Sequence, residues 1–275
     1  DGRGDFFVLE DNLRTPSGVS YMLESRKISQ KLMPDLCSSN NLQGIEQYPT
    51  LLRAILEENA YVDKPFIVVL TPGRFNSAYY EHAFLAREMD VPLVTSRDLF
   101  VENDKVFAKT IRGRQQVDVI YRRVDDEFLD PLVFRADSTL GVAGLMSAYL
   151  QNNVVIANAP GTGVADDKSI YPYVDQMIQY YLGETPILSN VPTYQCRDSD
   201  QLDYVLNNLE KLVVKEAQGS GGYGMLIGPQ ADQQQIEQFR QKIMQTPHLY
   251  IAQPTLALSV APTLTTDGVA ERHID

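Results

Sequence analysis

The sequence predicts a mixed α/β chain, α+β in its parts, with a parallel sheet in its middle and a glycine-loop hairpin near its end. Short apolar runs within Phe66–Leu70, Val91–Val94, Val117–Tyr121 and Asn153–Ala157 alternate with helical patterns, the signature of βαβ units. Leu212-Val213-Val214-Lys215 then enters a glycine-rich loop and the chain returns at Met225–Gly228.

Phe6-Phe7-Val8-Leu9 reads as an opening strand running on through Arg14, and Thr15-Pro16-Ser17-Gly18 as a turn. Helical spacing follows from about Val19 through Met22, Leu23 and Ile28, and again at Leu51, Leu52, Ile55 and Leu56. Phe66–Leu70 is continuously apolar, as in a strand buried on both faces, and ends in Thr71-Pro72-Gly73 before a helix from about Ser77 to Met89. After the strand Asn153–Ala157, a helix is expected to begin near Asp167-Lys168, with another around Leu202–Leu209. Lys211–Lys215 pairs with Met225–Gly228, a polar helix spans about Gln233–Met244, and Leu249–Ala252 is the last strand of this region. The glutamine-rich stretch Gln230–Gln245 reads as a solvated helix face, and no repeat of fixed period is present.

With 24 Lys plus Arg against 36 Asp plus Glu the net charge is −12, a surface that repels nucleic-acid backbones. Cys37 and Cys196 lack any close partner, which fits a reducing compartment, and His82, His248 and His273 are too scattered for zinc. No apolar run approaches the roughly 20 residues of a membrane span, and no signal-peptide pattern opens the chain, so a soluble cytoplasmic protein is expected. Asp1 without a methionine, and Glu271–Asp275 reading as an unfinished strand, suggest a piece of a longer protein.

Two segments carry the chemistry. Lys215 enters a loop holding Gly219, Ser220, Gly221, Gly222 and Gly224, whose glycines let N–H groups turn toward an anion. The lysine precedes the glycines and no helix follows them, so this is neither a Walker A loop nor a dinucleotide fingerprint. A plain tight hairpin is the competing reading. At the other end, Glu10, Asn12 and Arg14 alternate; on a strand they share a face, with Asp11 opposite, and their oxygens suit Mg²⁺ beside a phosphate-pairing arginine. An edge strand's polar face is the alternative. Lys168 is a second cation for a polyphosphate, or a surface lysine in a capped first turn. Arg74 follows a strand end near a helix start, where anions bind. Arg122 and Arg123 stand at another strand end, for substrate or for a salt-bridge network with Asp125 and Asp126. His82 reads as an ordinary helix residue, and nothing activates Cys196.

Taken together, Leu9–Ser17, Thr71-Pro72-Gly73, Val117–Pro131, Asn158–Lys168 and Lys215–Gly228 resemble the circularly permuted ATP-grasp proteins, near the synthetase domain of glutathionylspermidine synthase. In an ordinary ATP-grasp chain the metal strand Glu-x-Asn-x-Arg comes last; here it comes first. The resemblance implies a permuted ATP-grasp fold with an inserted Rossmann-like parallel-sheet domain. Residues 1–60 would hold the metal strand and its helices, 61–165 the substrate domain and 166–275 the nucleotide-binding part. Lys168 and Lys215 would contact ATP phosphates, Gln253 would lie at the adenine hinge, Glu10 and Asn12 would hold Mg²⁺, and Arg14 would meet the γ-phosphate or acyl-phosphate. The family's further acidic metal ligand, upstream of the Glu-x-Asn pair, has no match. The implied reaction is ATP-dependent ligation of a small-molecule carboxylate to an amine or peptide, with ATP and Mg²⁺ as cofactors. A phosphotransferase, or a nucleotide-binding scaffold acting through a protein partner, are the alternatives.

Overall fold

In the computed structural model, which describes residues 4–219 and 224–273, the chain forms two units: residues 13–163, and residues 1–12 together with 164–275. After the short strand β1 (Phe7–Val8), the first unit contains α1 (Val19–Leu32), α2 (Pro34–Ser39), α3 (Tyr48–Glu58), β2 (Ile67–Leu70), α4 (Tyr79–Glu88) and β3 (Leu93–Val94). It continues with β4 (Leu99–Glu102), β5 (Lys105–Thr110), β6 (Gly113–Gln116), β7 (Val119–Arg122), α5 (Leu145–Leu150) and β8 (Val155–Ala157).

The predicted parallel sheet is present, with strand order β3-β2-β7-β8. Its apolar runs are continuous because both faces are covered. Ile67, Val69, Val119 and Tyr121 pack with Leu23, Leu56, Phe84 and Leu85 from α1, α3 and α4. Val68, Leu70, Ile120 and Ile156 point the other way, to Leu99, Val106, Ala108 and Leu145. The helices at 19–58, grouped by the sequence with the metal strand, therefore pack on the parallel sheet instead.

At the carboxyl ends of β2 and β7, where the strand order reverses and open sheets take ligands, the chain holds its own loop. Glu81, fully buried, accepts from the N–H groups of Gly18 (2.8 Å) and Ser20 (3.0 Å) and from the Ser20 hydroxyl (2.8 Å). Arg123, buried beside it, pairs with Glu81 at 3.3 Å and donates to the Pro16 carbonyl and the Ser17 hydroxyl. Gly18 takes a φ of 118°, open to glycine and costly for other residues.

The second unit adds α6 (Gly163–Asp166), α7 (Val174–Leu182), β9 (Ser189–Asn190), β10 (Tyr194–Gln195), α8 (Ser199–Leu206), β11 (Leu212–Glu216), β12 (Leu226–Ile227), α9 (Gln233–Gln245), β13 (Tyr250–Pro254), β14 (Val260–Thr265) and β15 (Gly268–His273). The antiparallel sheet runs β10-β13-β11-β12, with α8 and α9 over the core of Leu212, Val214, Tyr250 and Ala252. α9 starts where expected, opened by a reciprocal Asp232–Gln235 capping box, while α8 begins three residues before the expected Leu202, where Asp198 caps it.

Two expectations are corrected, and one element was not foreseen. The opening strand covers Phe7–Val8 alone, where it pairs in parallel with Ser189–Asn190; Glu10, Asn12 and Arg14 follow in irregular chain with no ladder to impose alternation. No helix begins at Asp167-Lys168: α6 ends at Asp166, and the Asp167 side chain accepts from the Ser169 N–H at 2.8 Å in a local turn. The antiparallel sheet β4-β5-β6 lay unannounced between two parallel strands. No helix among the described residues is long and apolar enough to cross a membrane.

Replacing Glu81 with Ala strands a buried guanidinium and the loop N–H groups, so urea unfolding should show a loss of about 3–5 kcal/mol. His82, buried, pairs through Nδ1 with the Thr71 hydroxyl at 2.8 Å. Burial, helped by the Arg123 charge and opposed by Glu81, lowers its pKa from 6.5 to about 4. Between those values the unfolded chain takes up a proton that the folded imidazole refuses. Stability should therefore fall as pH drops from 6.5 toward 4, and thermal melts of His82→Gln should show a flatter profile across that window.

Candidate functional site

Strand alternation in β11 sends Leu212 and Val214 into the core and leaves Val213 and Lys215 on the opposite face. Register places Ile251 beside Lys215, and Gln253 and Ile227 beside Val213, so these side chains share that face. Gln253 is buried and donates from Nε2 to the Thr193 hydroxyl at 2.9 Å. Burial lowers the Lys215 ammonium below the ordinary lysine pKa; the Glu10 carboxylate opposes this shift and the Lys168 charge adds to it.

Lys168 reaches the same place from the turn after α6. Its N–H donates to the Ala217 carbonyl at 2.8 Å and its Nζ to the Gly219 carbonyl at 2.7 Å, while the Gln218 amide donates to Asp167 at 3.3 Å. Glu10 Oε2 lies 3.4 Å from Lys168 Nζ, and Glu10 Oε1 accepts from the Asn12 amide at 3.4 Å. Glu10, Asn12, Lys168, Lys215 and Gly219 thus converge within one unit.

The segment carrying Glu10 is held by Tyr171, which sequence reasoning missed. Its hydroxyl donates to the Val8 carbonyl and accepts from the Val191 N–H at 2.6 Å. Burial, partly offset by the Val191 N–H, raises its pKa to about 12. Nothing in the local sequence marks Tyr171, because both partners are distant in the chain. Asp11 also titrates high, from burial first and then from the Asp166 and Glu10 charges.

A carboxylate and a carboxamide in mutual contact fit Mg²⁺, which takes oxygen ligands and completes its shell with phosphate oxygens and water. Among the described residues no group of three or more His, Cys, Asp or Glu could hold a metal. Gly224 adopts φ 69°, and a Cβ there would stand 2.8 Å from the Glu216 carboxylate. Ser220, Gly221 and Gly222 lie outside the described residues.

The remaining candidates belong to residues 13–163. Arg122 is fully buried: it donates to the carbonyls of Asn158 (2.6 Å), Val124 (2.9 Å) and Ala159 (3.2 Å) and pairs with Asp126 at 3.2 Å. Arg123 is engaged with Glu81 and the 16–20 loop. Of the two readings of this arginine pair, the internal network is therefore the one that accounts for their contacts. Arg14 Cδ and Asp126 Oδ2 stand 3.2 and 3.3 Å from where a Cβ on Gly163 would be, so glycine lets them approach. Arg74 is exposed over the Phe75 ring at 4.9 Å.

The model of one family, circularly permuted ATP-grasp type 2, matches residues 1–275. The chain belongs to that family. A mixed α/β structure with parallel and antiparallel sheets agrees with it. An uncharacterised protein of Synechocystis sp. is 53% identical over 100% of this chain and 58% of its own length. A protein of Frankia alni with the provisional name glutamate–cysteine ligase 2-3 is 43% identical over 95% of this chain and 31% of its own. Among solved structures, the ATP-grasp ligase PsnB, complexed with a phosphomimetic variant of a minimal precursor, Mg and ADP, aligns over 76% of this chain and 71% of its own. That alignment has a TM-score of 0.39 and 15% identity, too low to add to the assignment. The chain spans little more than half the length of its Synechocystis relative.

Tyr171→Phe removes two hydrogen bonds and leaves the Val191 N–H and the Val8 carbonyl only their long bond to each other, 3.4 Å. It should cost about 1–3 kcal/mol in denaturant unfolding.

Proposed function

We propose that this chain forms the nucleotide-binding part of an ATP-dependent carboxylate–amine ligase that works through an acyl-phosphate. The observation that carries the reading is the convergence of Lys168, Lys215, Glu10 and Asn12, drawn from opposite ends of the sequence, beside one sheet face. Lys215 and Lys168 would hold the polyphosphate as point charges, and the base would lie over Val213 and Ile251 toward Gln253. Glu10 and Asn12 would hold Mg²⁺, which when bound neutralises charge developing on the transferred phosphoryl group.

Phosphorylation turns the carboxylate's poor leaving oxygen into phosphate, and the amine then displaces it to form the C–N bond. Arg14 remains the candidate for the transferred group, on the sequence resemblance alone. Arg74 is the candidate substrate arginine, with Arg122 and Arg123 shaping the loops of residues 13–163. The provisional name of the Frankia relative describes a carboxylate–amine ligase. The closer likeness to glutathionylspermidine synthase rests on sequence motifs and supplies no substrate.

Calorimetric titration of Mg·ATP should give saturable binding, weakened roughly tenfold or more by Lys215→Ala, the loss expected for a charged hydrogen bond. Absence of binding, or equal binding by the variant, would remove the reading.

A further inference from the structure

We propose that Glu10 makes this site discriminate against polyphosphate that arrives without a divalent cation. The inference rests on the nucleotide reading above and concerns which form of the ligand the site accepts.

Lys168 is 14% exposed and its ammonium is already engaged: the Gly219 carbonyl lies 2.7 Å away and Glu10 Oε2 3.4 Å away. Lys215 interacts through charge with both Glu10 and Lys168. The ligand-free site therefore holds two ammonium groups and one carboxylate that neutralises part of their field. Gly219 contributes a neutral carbonyl, which any phosphate displaces at the same cost whether or not a metal comes with it. Glu10 is different because it is charged. When a metal-free polyphosphate takes the lysines, the carboxylate loses its cations and faces phosphate oxygens of like charge at close range. When a divalent cation accompanies the phosphates, the same carboxylate gains a partner. One side chain thus opposes the free anion and favours the metal-bound one, and the linkage between metal and anion is reciprocal. Asn12, donating to the other Glu10 oxygen, keeps the carboxylate turned within this group.

The test is calorimetry at fixed ionic strength with two probes: sodium tripolyphosphate in excess EDTA, and Mg·ATP. Glu10→Gln should bind metal-free tripolyphosphate roughly three- to tenfold more tightly than the wild type and Mg·ATP roughly tenfold more weakly. Asp11→Asn, which removes a neighbouring charge that meets neither lysine in any hydrogen bond or ion pair described above, controls for net charge and should give a smaller gain. In a Lys168→Met background the Glu10→Gln gain should shrink. Glu10 is 41% exposed, so Glu10→Gln should fold, and its melting temperature checks that. An unchanged or weaker metal-free affinity in Glu10→Gln, or a gain no larger than that of Asp11→Asn, overturns the proposal while wild-type Mg·ATP binding leaves the nucleotide reading standing. A wild-type chain that binds neither probe overturns both.

Discussion

Two ammonium groups held beside one small sheet need a carboxylate with them, and the second unit is arranged to meet that constraint. Lys215 is half-buried because β11 must place Val214 in the core, and alternation then sends Lys215 to the opposite face. Lys168 is brought alongside by its main-chain N–H on the Ala217 carbonyl and its Nζ on the Gly219 carbonyl. Neither position is favourable for a cation alone. Glu10 relieves both, held in place by the pairing of β1 with β9 and by Tyr171, which ties Val8 and Val191 to one hydroxyl. A buried tyrosine is thereby part of the electrostatics of the site.

Residues 13–163 use charge differently. The carboxyl end of a parallel sheet is where such folds offer ligands a crevice, yet Glu81 and Arg123 are committed there to the 16–20 loop. Arg122 is likewise spent on the carbonyls of 124, 158 and 159. Buried charges with this many partners set loop positions, since withdrawing any one partner leaves another uncompensated. What they leave accessible is Arg74, with Arg14 set against Gly163 beside Asp126.

Much of this was legible in the sequence. Parallel strands announced themselves because both faces are buried, and the hairpin of β11 and β12 because a lysine met a run of glycines. Glu10 and Asn12 were expected side by side on a wrong premise. They are not on a strand, yet Asn12 donates to Glu10. Their proximity comes from two-residue spacing in irregular chain, which needs no ladder. The helix expected at Lys168 failed because Asp167 satisfies Ser169 locally and competes with helix formation. The sheet β4-β5-β6 had a signal that went unused: Asn103-Asp104, both at positive φ, is a two-residue hairpin turn between alternating strands. Tyr171 had none, because its role is a pair of contacts to residues 8 and 191.

The division of the chain also has a physical logic. The residues of the nucleotide reading lie at 10–12 and 168–253, with a whole unit between them. Separating two halves of a site by so long an insert would cost little if the insert folds on its own core, since closure entropy grows only with the logarithm of loop length. The requirement is that the insert return the chain to where it left. Arg14, just after the chain enters residues 13–163, and Gly163, where it leaves, are near enough that a Cβ on Gly163 would stand 3.2 Å from Arg14 Cδ. Two independent cores on the parallel sheet supply the folding, and that contact supplies the return. Circular permutation is tolerated on the same terms: sequence order stops mattering once each unit closes on itself, so the Glu10–Asn12 segment can come first and still stand beside Lys168.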